Sequence, residues 1–429
     1  MNFGFFIVLR LSQAGKEKIP KYEDVVFQAQ NDMVSIHLIP SLRSTRRSNS
    51  SPAIISPPFA SAFLSYDHRR DCTTSLSITL KRRHGGFHAC GERSVSASAS
   101  VVSNEGSEIS ERGLSNDELV LGLREIEEGC SKWNWRGYTI NYLVQSSSSN
   151  SDNPSLLLVH GFGASIPHWR RNIPILAERY NVYAIDLLGF GASDKPIDFE
   201  YTTEAWAQLI LDFLDEIVQK PTVLIGNSIG SLVCVIAASS GMSSSTSSLV
   251  NGLVLLNCAG GMNNKAIVDD WRIRLLSPLF LLIDFLLKQR KIASSIFNRV
   301  TQIENLRSVL LSVYGNKESV DDDLVQIIRK PAMEEGALEA FVSIVTGPAG
   351  PNPVQLMPGI DLPILLLWGD KDPFTPLDGP VGKYFLSLPS QRENIKLHVL
   401  EGVGHCPHDD RPELVHEKLL PWLAQLYAP

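Results

Sequence analysis

Short apolar runs and segments of helical spacing take turns along the chain from about residue 130 onward. "WNWRGYTINYLVQ" (133–145) alternates apolar and polar positions on both sides of Gly137 and predicts a β-hairpin. "LLLVHGFG" (156–163), "NVYAIDLLGFGASDKP" (181–196), "TVLIG" (222–226), "GLVLLNC" (252–258), "PILLLWG" (363–369) and "IKLHVL" (395–400) each contain a nearly unbroken apolar run. Such runs suit strands buried on both faces. "HWRRNIPILAERY" and "TEAWAQLILDFLDEIVQ" (203–219) lie between them with helical spacing. "DDRPELVHEKLLPWLAQL" closes the chain as a helix, with Asp410 as the expected cap and Pro412 in the first turn. Strands alternating with helices predict an α/β fold with a mostly parallel sheet. Ligands of such sheets bind at the carboxyl ends of the strands.

One interval departs from this plan. Residues 262–357 hold several helical patterns and no clear strand, too long a stretch for a plain loop. They are expected to form a helical cap inserted after the sixth strand. The core would then comprise residues 115–261 and 358–429. It would open on a short helix in "SNDELVLGLREIEEG", with Ser115 or Asn116 at its N-cap.

Residues 1–114 read differently. The stretch 33–66 has three arginines, no acidic residue and many serines and prolines. That composition predicts a disordered transit peptide, and its serine content points to the chloroplast. Residues 1–32 carry Glu17, Glu23, Asp24 and Asp32 and fit poorly, so they are read as an upstream extension ahead of a working start at Met33. The net charge of −7 argues against a nucleic-acid surface. No apolar stretch is long enough to span a bilayer. Six cysteines without a C-x-x-C pair are expected to be reduced thiols of an intracellular protein.

The chemistry centres on "GNSIG" (226–230), a G-x-S-x-G motif between a predicted strand and the helix "SIGSLVCVIAAS". A serine forced through such a tight turn needs neighbours without bulk, and the turn lifts its hydroxyl clear of the sheet. Ser228 is therefore the expected nucleophile. A hydroxyl needs a base, and "LEGVGHCPHDDRP" after the last strand supplies His405, with His408 as competitor. His160, His398 and His416 are read as loop support, strand and helix surface. The base needs an acid, and "LLLWGDKDPFTP" offers Asp370 and Asp372. Asp372, deeper in the loop, is preferred, leaving Asp370 as a turn former. The N–H groups of Phe162 and Ile229 are the expected oxyanion donors. Cys406, beside the base, is read as an inert thiol whose oxidation would otherwise disturb the loop.

"LLLVHGFGASIPHWRRN", "VYAIDLLGFGASDKP", "GNSIGS", "LLNCAGGMNN", "LLWGDKDP", "GVGHCPHDDRPE" and the cap stretch "DDWRIRLLSPLFLLIDFLLKQR" together resemble plant chloroplast α/β-hydrolases of the pheophytinase-like group that dephytylate chlorophyll pigments. The resemblance spans roughly residues 130–427. It implies the α/β-hydrolase fold, a triad of Ser228, Asp372 and His405, and a thylakoid-associated serine esterase. The implied substrate is a lipophilic pigment ester, from which the phytyl group is removed. No cofactor or metal is expected of the protein, and no nucleic acid. The stretch 275–287 is apolar nearly all round, flanked by Arg272 and Arg274 on one side and Lys288, Arg290 and Lys291 on the other. It is read either as cap core or as a greasy entrance lying on a membrane, with Asp284 needing a partner or pointing aside. A lipid or acyl-ester hydrolase, or a small-molecule receptor on the same fold, are the competing readings.

Overall fold

The computed structural model describes residues 122–146, 153–241, 249–263 and 277–428. The expectations for residues 1–114, Met33, Ser115, Asn116, Arg272 and Arg274 lie outside these residues. The first helix among the described residues, α1, covers Leu123–Gly129 with Gly122 at its N-cap.

Among the described residues eight strands form one sheet in the order β1-β2-β4-β3-β5-β6-β7-β8. β1 (Cys130–Trp135) and β2 (Tyr138–Gln145) make the antiparallel hairpin around Gly137, and β2 pairs antiparallel with β4 (Asn181–Ile185). β3 (Ser155–Val159), β4, β5 (Thr222–Asn227), β6 (Val250–Leu256), β7 (Ile364–Gly369) and β8 (Ile395–Leu400) run parallel. Five of the predicted parallel runs are buried on both faces. The sixth, β8, is an edge strand with a half-exposed middle, because no described strand pairs beyond it in the sheet.

The period of two assigns alternate strand residues to two core layers. Leu157, Leu224, Leu253 and Leu366 face α3 (Thr203–Phe213) and α4 (Ile229–Gly241). Leu158, Ile225, Val254 and Leu367 face α2 (Ile173–Ala177) and the closing helix. "HWRRNIPILAERY" forms only a 3₁₀ turn (Ile166–Trp169) and the short α2, broken by prolines at the start of each.

Between β6 and β7 the described residues are helical: α5 (Ser277–Leu287), α6 (Arg290–Val300), α7 (Ile303–Val313), α8 (Asp322–Ala332), α9 (Ala337–Thr346) and α10 (Pro353–Leu356). This insertion has a core of its own, in which Val309, Val313, Tyr314 and Leu324 pack against Phe374 and Cys406 of the loops after β7 and β8. α11 (Pro380–Ser387), α12 (Pro407–Asp410) and α13 (Pro412–Leu426) complete the chain. Pro412 does open α13, but Asp410 is not its cap. Arg411 holds the N-cap position without a side-chain bond, and the Asp410 carboxylate turns back to the loop before it.

Candidate active site

The elbow explains its own glycines. Ser228 sits at φ +55°, in the left-handed region that a non-glycine residue adopts only under constraint. Its N–H donates to Leu256 (2.9 Å) and its carbonyl accepts from Ala259 (3.1 Å), so β6 and its exit hold the strained turn. A Cβ on Gly226 would stand 2.5 Å from the backbone of Gly230 and Ser231, and one on Gly230 would fall on the carbonyls of Val159 and His160. Both positions therefore require glycine for close approach.

Three side chains from distant loops converge there. His405 Nδ1 is 2.8 Å from Asp372 Oδ2, and its Nε2 is 2.8 Å from Ser228 Oγ. An ionised carboxylate only accepts, so Nδ1 carries the proton and Nε2 is left to accept from the serine hydroxyl. A hydroxyl bonded to such an imidazole can be made nucleophilic by proton transfer. Asp372 is buried, which by itself raises its pKa. His405 and hydrogen bonds from Thr375 and Phe374 outweigh that, so its carboxyl stays below the ordinary value. Phe374 closes over the imidazole edge-on, with ring centroids 4.8 Å apart.

The other expected positions also have places. Ile229 is the first residue of α4, so its N–H has no partner within the helix. Phe162 follows Gly161, whose added Cβ would lie 3.3 Å from Ser228 Cβ, so this loop lies against the nucleophile. His160 supports the loop: its Nδ1 donates to the Gly161 carbonyl (2.7 Å) and its Nε2 accepts from Leu187 N–H (3.0 Å). Burial lowers the pKa of His160, which keeps it neutral as that bonding requires. Asp370 ties the two loop bases together, accepting from Gly402 N–H at 2.6 Å.

His408 does not approach Ser228. It is buried in α12, where its Nε2 meets His168 Nδ1 at 3.2 Å. His416 is half-buried, not a bare surface residue, and its Nε2 lies 3.2 Å from Asn172 Oδ1. Burial pushes the Cys406 thiol well above its ordinary pKa, so it is protonated and unreactive.

Sequence reasoning missed two asparagines. Asn227 donates from Nδ2 to the carbonyls of His405 (3.0 Å) and Leu256 (3.2 Å), joining elbow to base loop. Asn257 sits at φ +45° at the end of β6, where its Nδ2 donates to Asp372 Oδ2 (2.6 Å) and its Oδ1 accepts from Gly369 N–H (3.0 Å). The only sequence signal for either was a polar residue at the exit of an apolar strand.

Among the described residues no cluster of His, Cys, Asp and Glu could hold a metal ion. No helix among them is long and apolar enough to cross a membrane.

The comparisons with known proteins agree with this architecture. A family model described as "Alpha/beta hydrolase family" matches residues 156–418. An uncharacterised hydrolase of Bacillus subtilis (strain 168) is 27% identical over 63% of this chain and 90% of its own length. A chloroplastic pheophytinase of Arabidopsis thaliana is 25% identical over 74% of this chain and 72% of its own. The crystal structure of a membrane phospholipase A superposes with a TM-score of 0.53 at 26% identity, covering 70% of this chain and 88% of that one. With an eight-stranded sheet, a strained serine at the exit of β5 and a helical insertion before β7, the chain belongs to the α/β hydrolase family.

Proposed function

We propose that this protein is a serine esterase that removes phytol from chlorophyll-type pigments, working peripherally at the thylakoid membrane of the chloroplast. The hydrogen-bonded relay from Ser228 through His405 to Asp372 carries the esterase part. His405 takes the hydroxyl proton as Ser228 Oγ attacks the ester carbonyl. The N–H groups of Phe162 and Ile229 meet the oxyanion, each worth ~3–4 kcal/mol of barrier. His405 then protonates the leaving alcohol, and water repeats the cycle to free the acid. Asp372 holds the imidazole tautomer and balances its charge in between.

A lipophilic substrate is supported by α5. Leu281 (67% exposed), Leu282 (52%), Phe285 (61%) and Leu286 share one helix face turned to solvent, while Leu287 on the opposite side is buried. Asp284 is half-buried and lies off that face. Exposed Lys288, Arg290 and Lys291 follow at its end. An apolar helical face with basic neighbours suits the interface of a bilayer. Half-buried aromatic rings lead inward from the insertion: Phe297 lies 5.2 Å from Phe341, and Phe341 lies 6.1 Å from Phe162 at the nucleophile. A long isoprenoid alcohol gains about 0.8 kcal/mol per methylene removed from water along such a path. The relative whose name is a chloroplastic pheophytinase supports the pigment ester. The likeness to a membrane phospholipase A supports the second reading, a lipid acyl-ester hydrolase, and the exposed face of α5 suits that substrate as well.

The test is release of phytol from chlorophyll or pheophytin in detergent, beside release of fatty acid from membrane lipids. Ser228→Ala should abolish turnover, by ~10⁶ if the three side chains act as a unit. Fatty acid without phytol selects the second reading. Turnover surviving in the serine variant rejects both.

A further inference from the structure

We infer that Asp410 is a positioning residue whose carboxylate binds the helical insertion to the loop of His405, so that the base is held in place from the insertion side. The inference rests on the esterase reading, which makes His405 the base.

Asp410 is buried one short turn beyond His405. Its carboxylate accepts three backbone N–H groups: Gly404 at 2.6 Å, Gly315 at 2.7 Å and Asn316 at 2.7 Å. Gly404 immediately precedes the base. Gly315 and Asn316 follow α7 in the insertion. Bonds from N–H groups to an ionised carboxylate are about twice as strong as neutral ones. The same seam is closed by His405 N–H donating to the Val313 carbonyl (3.0 Å) and by Ser319 Oγ donating to the Asp410 carbonyl (2.7 Å). Its neighbour Asp409 faces the insertion too, accepting from Tyr314 Oη at 2.9 Å.

The fit leaves no slack. A Cβ on Gly315 would fall on the Gly402 carbonyl, and one on Gly404 would fall on the Val313 carbonyl. The insertion and the base loop therefore meet backbone to backbone. On its other side, the His405 carbonyl is gripped by Asn227 of the elbow. The peptide unit of the base is thus clamped between insertion and nucleophile turn. The imidazole must keep 2.8 Å on both of its nitrogens for the relay to exist. Displacing a reacting group by about 1 Å costs on the order of 10²-fold in rate. The insertion is thereby part of the catalytic geometry and more than a roof.

The experiment compares the full chain with Asp410→Asn, Gly315→Ala and Asn316→Pro on a soluble nitrophenyl ester. Asparagine keeps the shape, but its NH₂ must face at least one of the three N–H donors. Gly315→Ala strains the seam without touching the triad. Asn316→Pro deletes one donor and keeps the carboxylate, at a φ of −85° near the range of proline; Asn316→Ala, which removes only the Asn316 side-chain bonds to Ser319 and Glu318, is the control for the cap that proline also loses. Circular dichroism and thermal melting identify which variants are folded at the assay temperature, and kcat, KM and the pH–rate profile are read on those. The expected result is a fall in kcat of about tenfold to a hundredfold with KM held within about twofold, and a displaced limb of the profile assigned to His405. A lower melting temperature with kcat and profile intact in every folded variant makes the role merely structural and overturns the inference. So does a change in KM alone. An inactive parent protein on all esters would instead overturn the esterase reading itself.

Discussion

Replacing Asn257 by alanine tests how far the acid of the relay depends on a residue that never touches substrate. Asn257 has no exposed surface and makes two side-chain bonds, 2.6 Å to Asp372 and 3.0 Å from Gly369. A hydrogen bond to a charged group contributes about 1.5–3 kcal/mol, and a buried N–H left without its acceptor costs about 1–3 kcal/mol. Gly369 would be left in that second condition. Alanine must also adopt the φ of +45° that Asn257 holds, at roughly 1 kcal/mol or more. These terms share partners and do not simply add, so the expected loss is about 3–5 kcal/mol, a large part of an ordinary stability of about 5–15 kcal/mol. Activity should fall as well. Asp372 Oδ2 then keeps only Thr375 and His405, with Phe374 N–H on Oδ1, and the carboxylate loses the amide that orients it from the β6 side. We expect kcat to drop about tenfold or more at unchanged KM. Urea unfolding followed by tryptophan fluorescence measures the first quantity, with an unchanged slope as the check that the midpoint reports stability. A soluble ester assay measures the second. A stability loss below about 1 kcal/mol together with parental kcat would show that Thr375 and Phe374 suffice, and the reasoning fails.

Three further outcomes are expected. Burial, then Arg170, His160 and Arg171, lowers the pKa of His168 from 6.5 to about 3. The unfolded chain therefore takes up a proton near pH 6.5 that the native state refuses until about pH 3, and stability falls as pH drops through that window, by up to ~1.4 kcal/mol per pH unit. Urea midpoints measured across the window should flatten in His168→Gln, and an unchanged slope counts against the assignment. Phe341→Ala should lower kcat/KM for esters with long hydrocarbon chains by about tenfold and spare short-chain esters; an effect independent of chain length removes the aromatic path. Leu281→Glu with Phe285→Glu should abolish flotation with anionic liposomes, since each buried side chain is worth about 1.5–3 kcal/mol, and leave soluble-ester hydrolysis unchanged; flotation at parental levels excludes α5 as the membrane face.

Much of this protein is legible in one dimension because the relevant physics is local. Strands β3 to β7 announce themselves as unbroken apolar runs, since both of their faces are covered. Ser228 announces itself because its strained turn needs glycine two residues to either side, at 226 and 230, and Asp372 and His405 because each lies on a loop after a late strand. The long strandless interval likewise marks the insertion. What the sequence could not carry was the company these residues keep. Asn227, Asn257 and Asp410 are ordinary polar residues at or just past the ends of their elements; Asp410 even reads as a helix cap until Gly315 and Asn316 arrive from 95 and 94 positions away. The same holds for the apolar run of α5, whose composition fits burial and exposure equally well. Only packing decides that Leu287 turns inward while Leu281, Leu282 and Phe285 meet solvent. Backbone conformation and burial period are written in neighbouring residues, whereas hydrogen bonds between loops depend on where the whole sheet brings their ends together.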